Sequence, residues 1–221
     1  MSGELGASTR VILIRHGETA WNVDTRIQGQ LDIPLNARGR WQASRLGAAL
    51  EGEGIDVVYS SDLSRAHETA QALASHLGLS VATDTGLRER GFGRFEGMTF
   101  AEIEARWPDD SARWRRRDPA FGPEGGETLQ GFFERCRATA LRLASAHPGR
   151  TVVMVAHGGV LDCLYRAATR VELGAPRTWQ LGNASINRLL HTEAGFTLVG
   201  WADTFHLDAP GDPGPEAVDA A

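Results

Sequence analysis

The chain has 221 residues, a formal net charge of −5, and a composition that is 42% hydrophobic and 23% charged. The length and the hydrophobic fraction predict a folded protein with a sizeable core and exclude a disordered chain. The acidic balance argues against a nucleic-acid partner bound through global charge, and no stretch has the pattern of a signal peptide or a membrane span. We therefore expect a cytoplasmic protein, with neither nucleic acid nor membrane as a partner.

The first half of the chain alternates predicted strands with predicted helices. Residues 11–15 begin with four apolar residues, three of them β-branched, which is typical of a buried strand. A helix is predicted over 37–51 with Asn36 as its N-cap, and a second strand over 55–59. Residues 60–62 resemble a helix cap, and apolar residues at steps of three and four then predict an amphipathic helix that ends at Gly78. A short third strand is predicted over 81–83.

The second half begins with a stretch of different character, residues 90–126, in which aromatic residues mix with arginines, acidic residues, glycines and prolines. We expect an insertion that covers the carboxyl edge of the sheet, with one helix near 99–107. The remaining pattern predicts a helix over 127–146, a strand over 151–156, a helix over 160–169, and strands 185–191 and 196–201 joined as an edge hairpin. The composition from Asp208 onward predicts a single domain over 1–207 and a flexible tail over 208–221.

This alternation predicts an α/β fold. We expect a three-layer αβα sandwich, with a mostly parallel central sheet, helices on both faces and an edge hairpin near the C-terminus. Parallel strands end at the same edge of a sheet, where open α/β folds bind their ligands. The side chains expected to share one crevice at this edge are Arg15, His16, Arg65, Glu89 and His157.

The residue types in this crevice favour phosphoryl chemistry. A neutral imidazole can form a covalent intermediate, and planar guanidinium groups fit the equatorial oxygens of a phosphoryl group. The interpretation makes His16 the nucleophile, Arg15 and Arg65 the phosphate clamps, and a protonated His157 one more donor. Glu89 is the candidate that protonates the leaving group and later activates water.

Other interpretations stay open. Two histidines and a glutamate can also bind zinc, but two guanidinium groups nearby would repel the cation, so no metal is predicted. Cys136 and Cys163 match no metal-ligand spacing and are predicted to be buried free thiols. A non-catalytic phosphate-binding protein could use the same arginines, although it would have no use for a proton donor. Glu18, in the turn beside His16, competes with Glu89 for that role or braces the loop.

Four segments resemble the motifs of the histidine phosphatase superfamily, in its phosphoglycerate-mutase-like branch. They follow in that family's order between about Arg10 and Trp201. The first is Arg15-His16-Gly17-Glu18-Thr19, continued by Trp21-Asn22, and the second is Ser60-Ser61-Asp62-Leu63-Ser64-Arg65-Ala66, continued by Thr69-Ala70. The third is Leu87-Arg88-Glu89, followed by Gly93 and Glu96-Gly97, and the last is Val155-Ala156-His157-Gly158. The resemblance implies a phosphohistidine intermediate on His16, Glu89 as proton donor, and no cofactor. The phosphate-binding residues then expected are Arg15, Asn22, Gln28, Gly29, Arg65, His157 and Gly158.

The resemblance leaves two activities open, hydrolysis of a phosphomonoester and isomerisation by a cofactor-dependent phosphoglycerate mutase. Residues 26–29, 32–35 and 125–128 look like the phosphatase members, and the chain is shorter than those mutases usually are. A cluster of arginines could instead bind the second acidic group that a mutase needs, but we favour their pairing with Asp109, Asp110 and Asp118 on the surface. These arginines are Arg113, Arg115, Arg116 and Arg117. We predict a hydrolase of a small-molecule phosphomonoester, and a homodimer through an exposed strand edge stays open.

Overall fold

The computed structural model describes residues 7–208 and 211–213. The strands in this part of the chain are β1 (Thr9–Arg15), β2 (Val57–Ser60), β3 (Val81–Thr83), β4 (Thr151–Ala156), β5 (Ile186–Thr192) and β6 (Gly195–Asp203). The α-helices are α1 (Ala20–Val23), α2 (Ala37–Ala49), α3 (Ser64–Leu77), α4 (Phe100–Arg106), α5 (Pro108–Arg115), α6 (Leu129–Ser145) and α7 (Gly158–Thr169). The tail predicted over 208–221 lies almost entirely outside the described residues.

The strands form one sheet of six, in the order β3-β2-β4-β1-β5-β6. Strands β3, β2, β4 and β1 run parallel, and the hairpin β5–β6 is added antiparallel at the side of β1. The register of the central pair runs from Arg10 opposite Thr151 to Arg15 opposite Ala156. The predicted mostly parallel sheet and its edge hairpin are confirmed, and the two central strands end side by side.

Helices cover both faces of the sheet, as predicted for an αβα sandwich. Strand β1 shows why, because its side chains alternate between two cores. Val11 and Leu13 belong to a core formed with α6 and α7, whereas Ile12 and Ile14 belong to a core formed with α2 and α3. All four side chains are almost fully buried. The sheet is therefore held from both sides, and its carboxyl edge is left to carry the polar residues.

Several predicted boundaries are wrong by a few residues. Helix α6 begins at Leu129 rather than 127, because the side chain of Thr128 caps it by accepting from the amide of Gly131. Helix α7 begins at Gly158 rather than 160, because His157, the residue after strand β4, is already its N-cap. Strand β2 begins at Val57 rather than 55. Helix α1 has no counterpart in the prediction.

The cap predicted at residues 60–62 is also wrong. The N-cap residue of helix α3 is Leu63, and its side chain makes no capping hydrogen bond. The carboxylate of Asp32 accepts from the amide of Ser64 at 2.7 Å, so a distant residue satisfies the first turn. Asp62 instead accepts from Nε of Arg88 at 2.7 Å. The residue that looked like a cap therefore ties the start of α3 to the segment that carries Glu89.

The stretch 90–126 holds two α-helices where one was predicted. Thr99 caps α4, and Pro108 occupies the first position of α5, so the chain turns sharply at Trp107. These helices enclose a small separate core of three buried side chains, Phe95, Ile103 and Phe121. The same stretch begins next to Glu89 and brings Phe92 to the carboxyl edge of the sheet.

Candidate active site

Two histidines follow the paired ends of β1 and β4. His16 comes directly after Arg15, and its amide donates to the carbonyl of Ala156 at 2.9 Å, which extends the ladder by one bond. His157 comes directly after Ala156. The ring centroids of His16 and His157 are 5.2 Å apart, with 56° between the planes. The structure therefore places both predicted histidines on the same side of the sheet.

The ring of His16 is held in one orientation. Its Nδ1 lies 2.7 Å from the carbonyl oxygen of Gly17. A carbonyl only accepts, so Nδ1 carries the proton and Nε2 keeps a free lone pair. Burial, followed by the charges of Arg15 and Arg65, lowers the pKa of His16 well below its usual value of 6.5. His16 is therefore a neutral imidazole with Nε2 available, which is the form a nucleophile needs.

The loop that follows His16 packs too closely for any side chain at Gly17. A Cβ there would lie 2.4 Å from the carbonyl oxygen of Gly39 in α2. The amide of Gly17 donates to Oγ1 of Thr69 at 3.0 Å, and that hydroxyl donates to the carbonyl of Arg65 at 2.7 Å. The backbone after the nucleophile is thereby connected to the helix that supplies the second arginine.

The two predicted phosphate clamps are arginines with a donor to spare, and Arg65 is fully buried whereas Arg15 is partly buried. Arg65 donates to the carbonyls of Gly29 and Leu31, both at 2.8 Å, and Arg15 donates to the carbonyl of Leu181. Nε of each guanidinium is buried and has no hydrogen-bond partner in the described part of the chain. Burial lowers the pKa of Arg15 to about 10 and also lowers the pKa of Arg65. Both groups stay cationic at neutral pH and are suited to an anion.

Glu89 is held at the start of α7. Its Oε2 accepts from the amide of Gly159 at 2.9 Å, and its Oε1 accepts from the amide of Arg90 at 2.8 Å. A Cβ at Gly159 would lie 2.2 Å from Oε1, so only glycine lets the carboxylate approach the helix this closely. Glu89 faces the same cavity as His16, which places one carboxylate within the cationic site.

His157 differs from its prediction in charge. The residue is fully buried, and neither ring nitrogen has a hydrogen-bond partner among the described residues. Burial, then the charges of Arg65, His16 and Arg15, lowers the pKa of His157 well below its usual value. The protonated donor expected from the sequence is therefore disfavoured in the unliganded protein. An anion beside the ring would shift the balance toward the cation, because an opposite charge favours the protonated form.

These groups surround a cavity of about 170 Å³. Its lining comprises Arg15, His16, Asn22, Arg26, Ile27, Gln28, Gly29, Arg65, Glu89 and Phe92. Of the predicted residues, His157 and Gly158 are not part of this lining. His157 lies directly behind it beside His16, and a Cβ at Gly158 would be 3.5 Å from Nε of Arg15.

The sequence did not reveal every residue at the site. Arg26, Ile27 and Phe92 line the cavity without having been assigned a role. Asn183 was also missed, although its side-chain amide donates to the carbonyl of His16 at 3.0 Å and to Oδ1 of Asn22 at 3.2 Å. Asn183 lies in the irregular loop between α7 and β5. No periodic pattern marks it, so only the three-dimensional arrangement reveals it.

Glu18 does not line the cavity. Its carboxylate accepts from Nδ2 of Asn36 at 2.9 Å and from Arg38 at 3.4 Å, both at the start of α2. Its backbone carbonyl accepts from the amide of Asn36 at 3.0 Å. Of the two roles considered for this carboxylate, the geometry supports bracing the loop.

Three of the four arginines in and just after α5 are engaged in ion pairs. Arg113 pairs with Asp118 at 2.8 Å, as favoured from the sequence. Arg115 pairs with Glu104, and Arg117 pairs with Asp162 of α7 at 2.6 Å, so the acidic partners predicted for these two are wrong. Asp110 pairs with Arg94 instead.

Cys136 and Cys163 are buried free thiols, as predicted from the sequence.

Among the described residues, no helix is both long enough and apolar enough to cross a membrane. No group of three or more His, Cys, Asp or Glu in that part of the chain is arranged to hold a metal ion.

Comparison with known proteins decides the family. The family model of the histidine phosphatase superfamily (branch 1) matches residues 11–204. The chain belongs to this superfamily. The resemblance found in the four sequence motifs is thereby confirmed.

Curated relatives of this chain carry phosphoglycerate mutase names. Phosphoglycerate mutase-like protein 4 of Arabidopsis thaliana is 39% identical, over 91% of the chain and 88% of the relative. The probable phosphoglycerate mutase GpmB of Klebsiella pneumoniae is 35% identical, over 91% of the chain and 96% of the relative.

Several solved structures similar to this chain are named as phosphatases. A mycobacterial glucosyl-3-phosphoglycerate phosphatase in complex with VO3 has 35% identity and a TM-score of 0.79, covering 88% of this chain and 99% of that one. A phosphoserine phosphatase from Entamoeba histolytica, in complex with phosphoserine, has 30% identity and a TM-score of 0.82, covering 90% and 99%. The structural neighbours are therefore phosphatases of the same superfamily, and they act on different substrates.

Proposed function

We propose that this histidine phosphatase hydrolyses small-molecule phosphomonoesters through a phosphohistidine intermediate on His16. One observation carries the proposal. His16, whose imidazole is neutral and held in one orientation with Nε2 unprotonated, lines a cavity that two guanidinium groups and one carboxylate also line. This set provides a nucleophile, charge neutralisation for the equatorial oxygens, and a group that can move a proton.

The first half of the reaction transfers the phosphoryl group to the protein. The Nε2 lone pair of His16 forms a bond to phosphorus as the bond from phosphorus to the ester oxygen breaks. Protonated Glu89 gives its proton to the departing oxygen, so an alcohol leaves and a carboxylate remains. Arg15 and Arg65 hold the equatorial oxygens, and their contacts strengthen as negative charge builds in the transition state. His157 adds a further donor once the phosphoryl dianion favours its protonated form.

The second half returns His16 to its starting form. A water molecule gives a proton to the Glu89 carboxylate as its oxygen attacks phosphorus. The bond between phosphorus and Nε2 breaks, and inorganic phosphate leaves. Glu89 is again protonated and His16 again neutral, so one ester and one water become one alcohol and one phosphate.

The alternative is transfer to a second phosphoglycerate, as in a mutase, which the names of the curated relatives favour. Two observations support hydrolysis. Several similar solved structures are named as phosphatases. In addition, three of the four arginines that could bind a second acidic group, Arg113, Arg115 and Arg117, are paired with a carboxylate. Water is therefore the acceptor we favour.

Replacing His16 by alanine tests the proposal. The His16→Ala variant should lose hydrolysis of p-nitrophenyl phosphate by on the order of 10³-fold or more, since loss of a nucleophile removes the covalent route. His76→Ala is the matched control, because His76 lies at the exposed end of α3 and its loss should leave the rate unchanged. Turnover retained by His16→Ala would refute the nucleophile.

A second assay separates the candidate activities. The protein is incubated with 3-phosphoglycerate and 2,3-bisphosphoglycerate, and both free phosphate and phosphoglycerate isomers are measured. Isomer formation without net phosphate release would establish the mutase instead. Phosphate binding with neither turnover nor labelling of His16 would establish a non-catalytic binding protein.

A further inference from the structure

Arg135, on α6, uses every donor of its side chain on the carboxylate of Glu127 and on the backbone of one short stretch, residues 86–89. Nε and Nη2 donate to the two carboxylate oxygens of Glu127 at 2.8 and 2.7 Å. Nη1 donates to the backbone carbonyls of Gly86 and Arg88, both at 2.9 Å, and Nη2 also donates to the carbonyl of Glu89 at 3.2 Å. A guanidinium has five N–H donors in a planar fork, and here all of them have partners. Such a fork fixes the backbone that it contacts.

Glu127 holds the same stretch from its other end. Its Oε2 accepts from the amide of Gly91 at 2.7 Å, and its own amide donates to the carbonyl of Gly91 at 2.8 Å. The ion pair of Arg135 and Glu127 therefore spans residues 86–91 with bonds on both sides of Glu89. Both side chains of the pair are about three-quarters buried, which limits competition from water.

We propose that Arg135 and Glu127 are positioning residues for Glu89. Neither of them lines the phosphate cavity, so they act through the backbone that carries Glu89. The pair holds this backbone so that the carboxylate meets the oxygen of the leaving group. The inference rests on the proposed function, because it concerns the efficiency of the proton transfer assigned to Glu89.

A positioning role has a signature that a purely structural role lacks. A phenol of low pKa leaves as an anion with little help, whereas an aliphatic alcohol needs a proton in the transition state. Displacement of Glu89 should therefore slow the cleavage of alkyl phosphates much more than that of activated aryl phosphates. A general loss of folded protein would lower both rates by the same factor. The parameter kcat/KM covers the reaction from free substrate up to the departure of the alcohol. It therefore reports on the proton transfer to the leaving group and not on the later hydrolysis.

The test compares kcat/KM for p-nitrophenyl phosphate and for glycerol phosphate. Arg135→Lys keeps the charge but loses the fork, and Glu127→Gln keeps the shape but loses the charge. Each should lower kcat/KM for glycerol phosphate by on the order of 10- to 100-fold, and for the aryl ester far less. Glu89→Gln should show the same pattern more strongly. Arg142→Lys is the control, since Arg142 lies on the same helix but pairs with Asp84, and it should change neither value.

The outcomes separate the inference from the proposed function. Equal losses on both esters, or no loss, in the Arg135 and Glu127 variants would overturn the positioning role while Glu89→Gln still shows the dependence on leaving group. If Glu89→Gln lacks that dependence, the role of Glu89 falls and the inference with it. If the unmodified protein cleaves neither ester, the proposed function itself fails. Should Arg135→Lys not fold, as judged by thermal unfolding, Glu127→Gln decides.

Discussion

His16 and His157 lie side by side, near the guanidinium groups of Arg15 and Arg65. Protonation of either ring would add a positive charge where water is excluded, so burial and the arginines lower both pKa values. Nε2 of His16 therefore keeps its lone pair at neutral and mildly acidic pH. The same electrostatics that prepare the nucleophile also attract the phosphate dianion, since Arg15 and Arg65 stay charged.

These lowered pKa values predict how stability depends on pH. The unfolded chain binds protons on both histidines near pH 6.5, whereas the folded chain binds them only at lower pH. Their contribution to the free energy of unfolding is fully present above about pH 6.5 and is lost as the pH falls toward the folded pKa values. Each histidine contributes a slope of at most about 1.4 kcal/mol per pH unit. Urea unfolding between about pH 7 and 5 measures this slope.

The variant His157→Gln isolates one of the two contributions. It should flatten the dependence of the free energy of unfolding on pH, whatever its effect on the absolute value, because the amide does not titrate. His76→Gln, at an exposed position, serves as the comparison for the same substitution outside the site. Identical slopes for the His157 variant and the unmodified protein would contradict the lowered pKa.

Among the secondary-structure elements, the sequence predicts β1 and β4 best. Each contains a continuous apolar run, and His-Gly follows the end of the strand, so both the buried strand and its functional end are visible. The start of α7 is not visible in the same way. Gly158 and Gly159 look like helix breakers, yet they form the first turn, and at Gly159 the carboxylate of Glu89 occupies the space that a side chain would fill.

Contacts between distant residues account for most of what the sequence could not predict. In the loop before β5, more than 160 positions away in sequence, the backbone carbonyl of Leu181 accepts from Arg15 and the side-chain amide of Asn183 donates to the carbonyl of His16. In each pair one partner is a backbone carbonyl, which any residue possesses. Asp32 likewise caps α3 from another loop. No sequence spacing predicts such contacts. The polar residues at the strand ends could therefore be predicted, and the residues that hydrogen-bond to them could not.

The close approach of Glu89 to α7 gives a prediction at the level of the helix. Gly159→Ala should reduce kcat/KM for glycerol phosphate by on the order of 10-fold or more, because the new Cβ would displace Glu89 from its amide partner. Alanine favours a helix over glycine by about 1 kcal/mol, so the variant should not be markedly less stable. Steady-state kinetics and thermal unfolding measured together check both parts.

Gly200→Ala is the matched substitution. Gly200 lies in β6, and a Cβ there would meet nothing within 4 Å. It should leave the kinetics unchanged. The proposed crowding would be wrong if Gly159→Ala turned over glycerol phosphate as fast as the Gly200 variant.

For the molecule as a whole, the segment 88–127 must be held against the sandwich, because its own core is small. Arg117 makes one such connection, donating to Asp162 of α7 at 2.6 Å and to the carbonyl of Leu173 at 3.0 Å. Asp162 also accepts from Nε of Arg166 at 3.1 Å, and the side chain of Arg166 is fully buried. Asp162 therefore lies between two guanidinium groups, one from the segment and one from the sandwich.

Loss of this carboxylate should be costly because it leaves a buried cation unpaired. Asp162→Ala should lower the free energy of unfolding by about 3 kcal/mol, whereas Arg117→Met should cost less because Asp162 keeps Arg166 as a partner. The double variant should show coupling between the two sites, since they share one ion pair. Asp109→Ala, at an exposed position of α5, should change stability by less than about 0.5 kcal/mol. Denaturant unfolding ranks the four variants, and an Asp162 variant as stable as the Asp109 variant would show that this ion pair does not hold the segment.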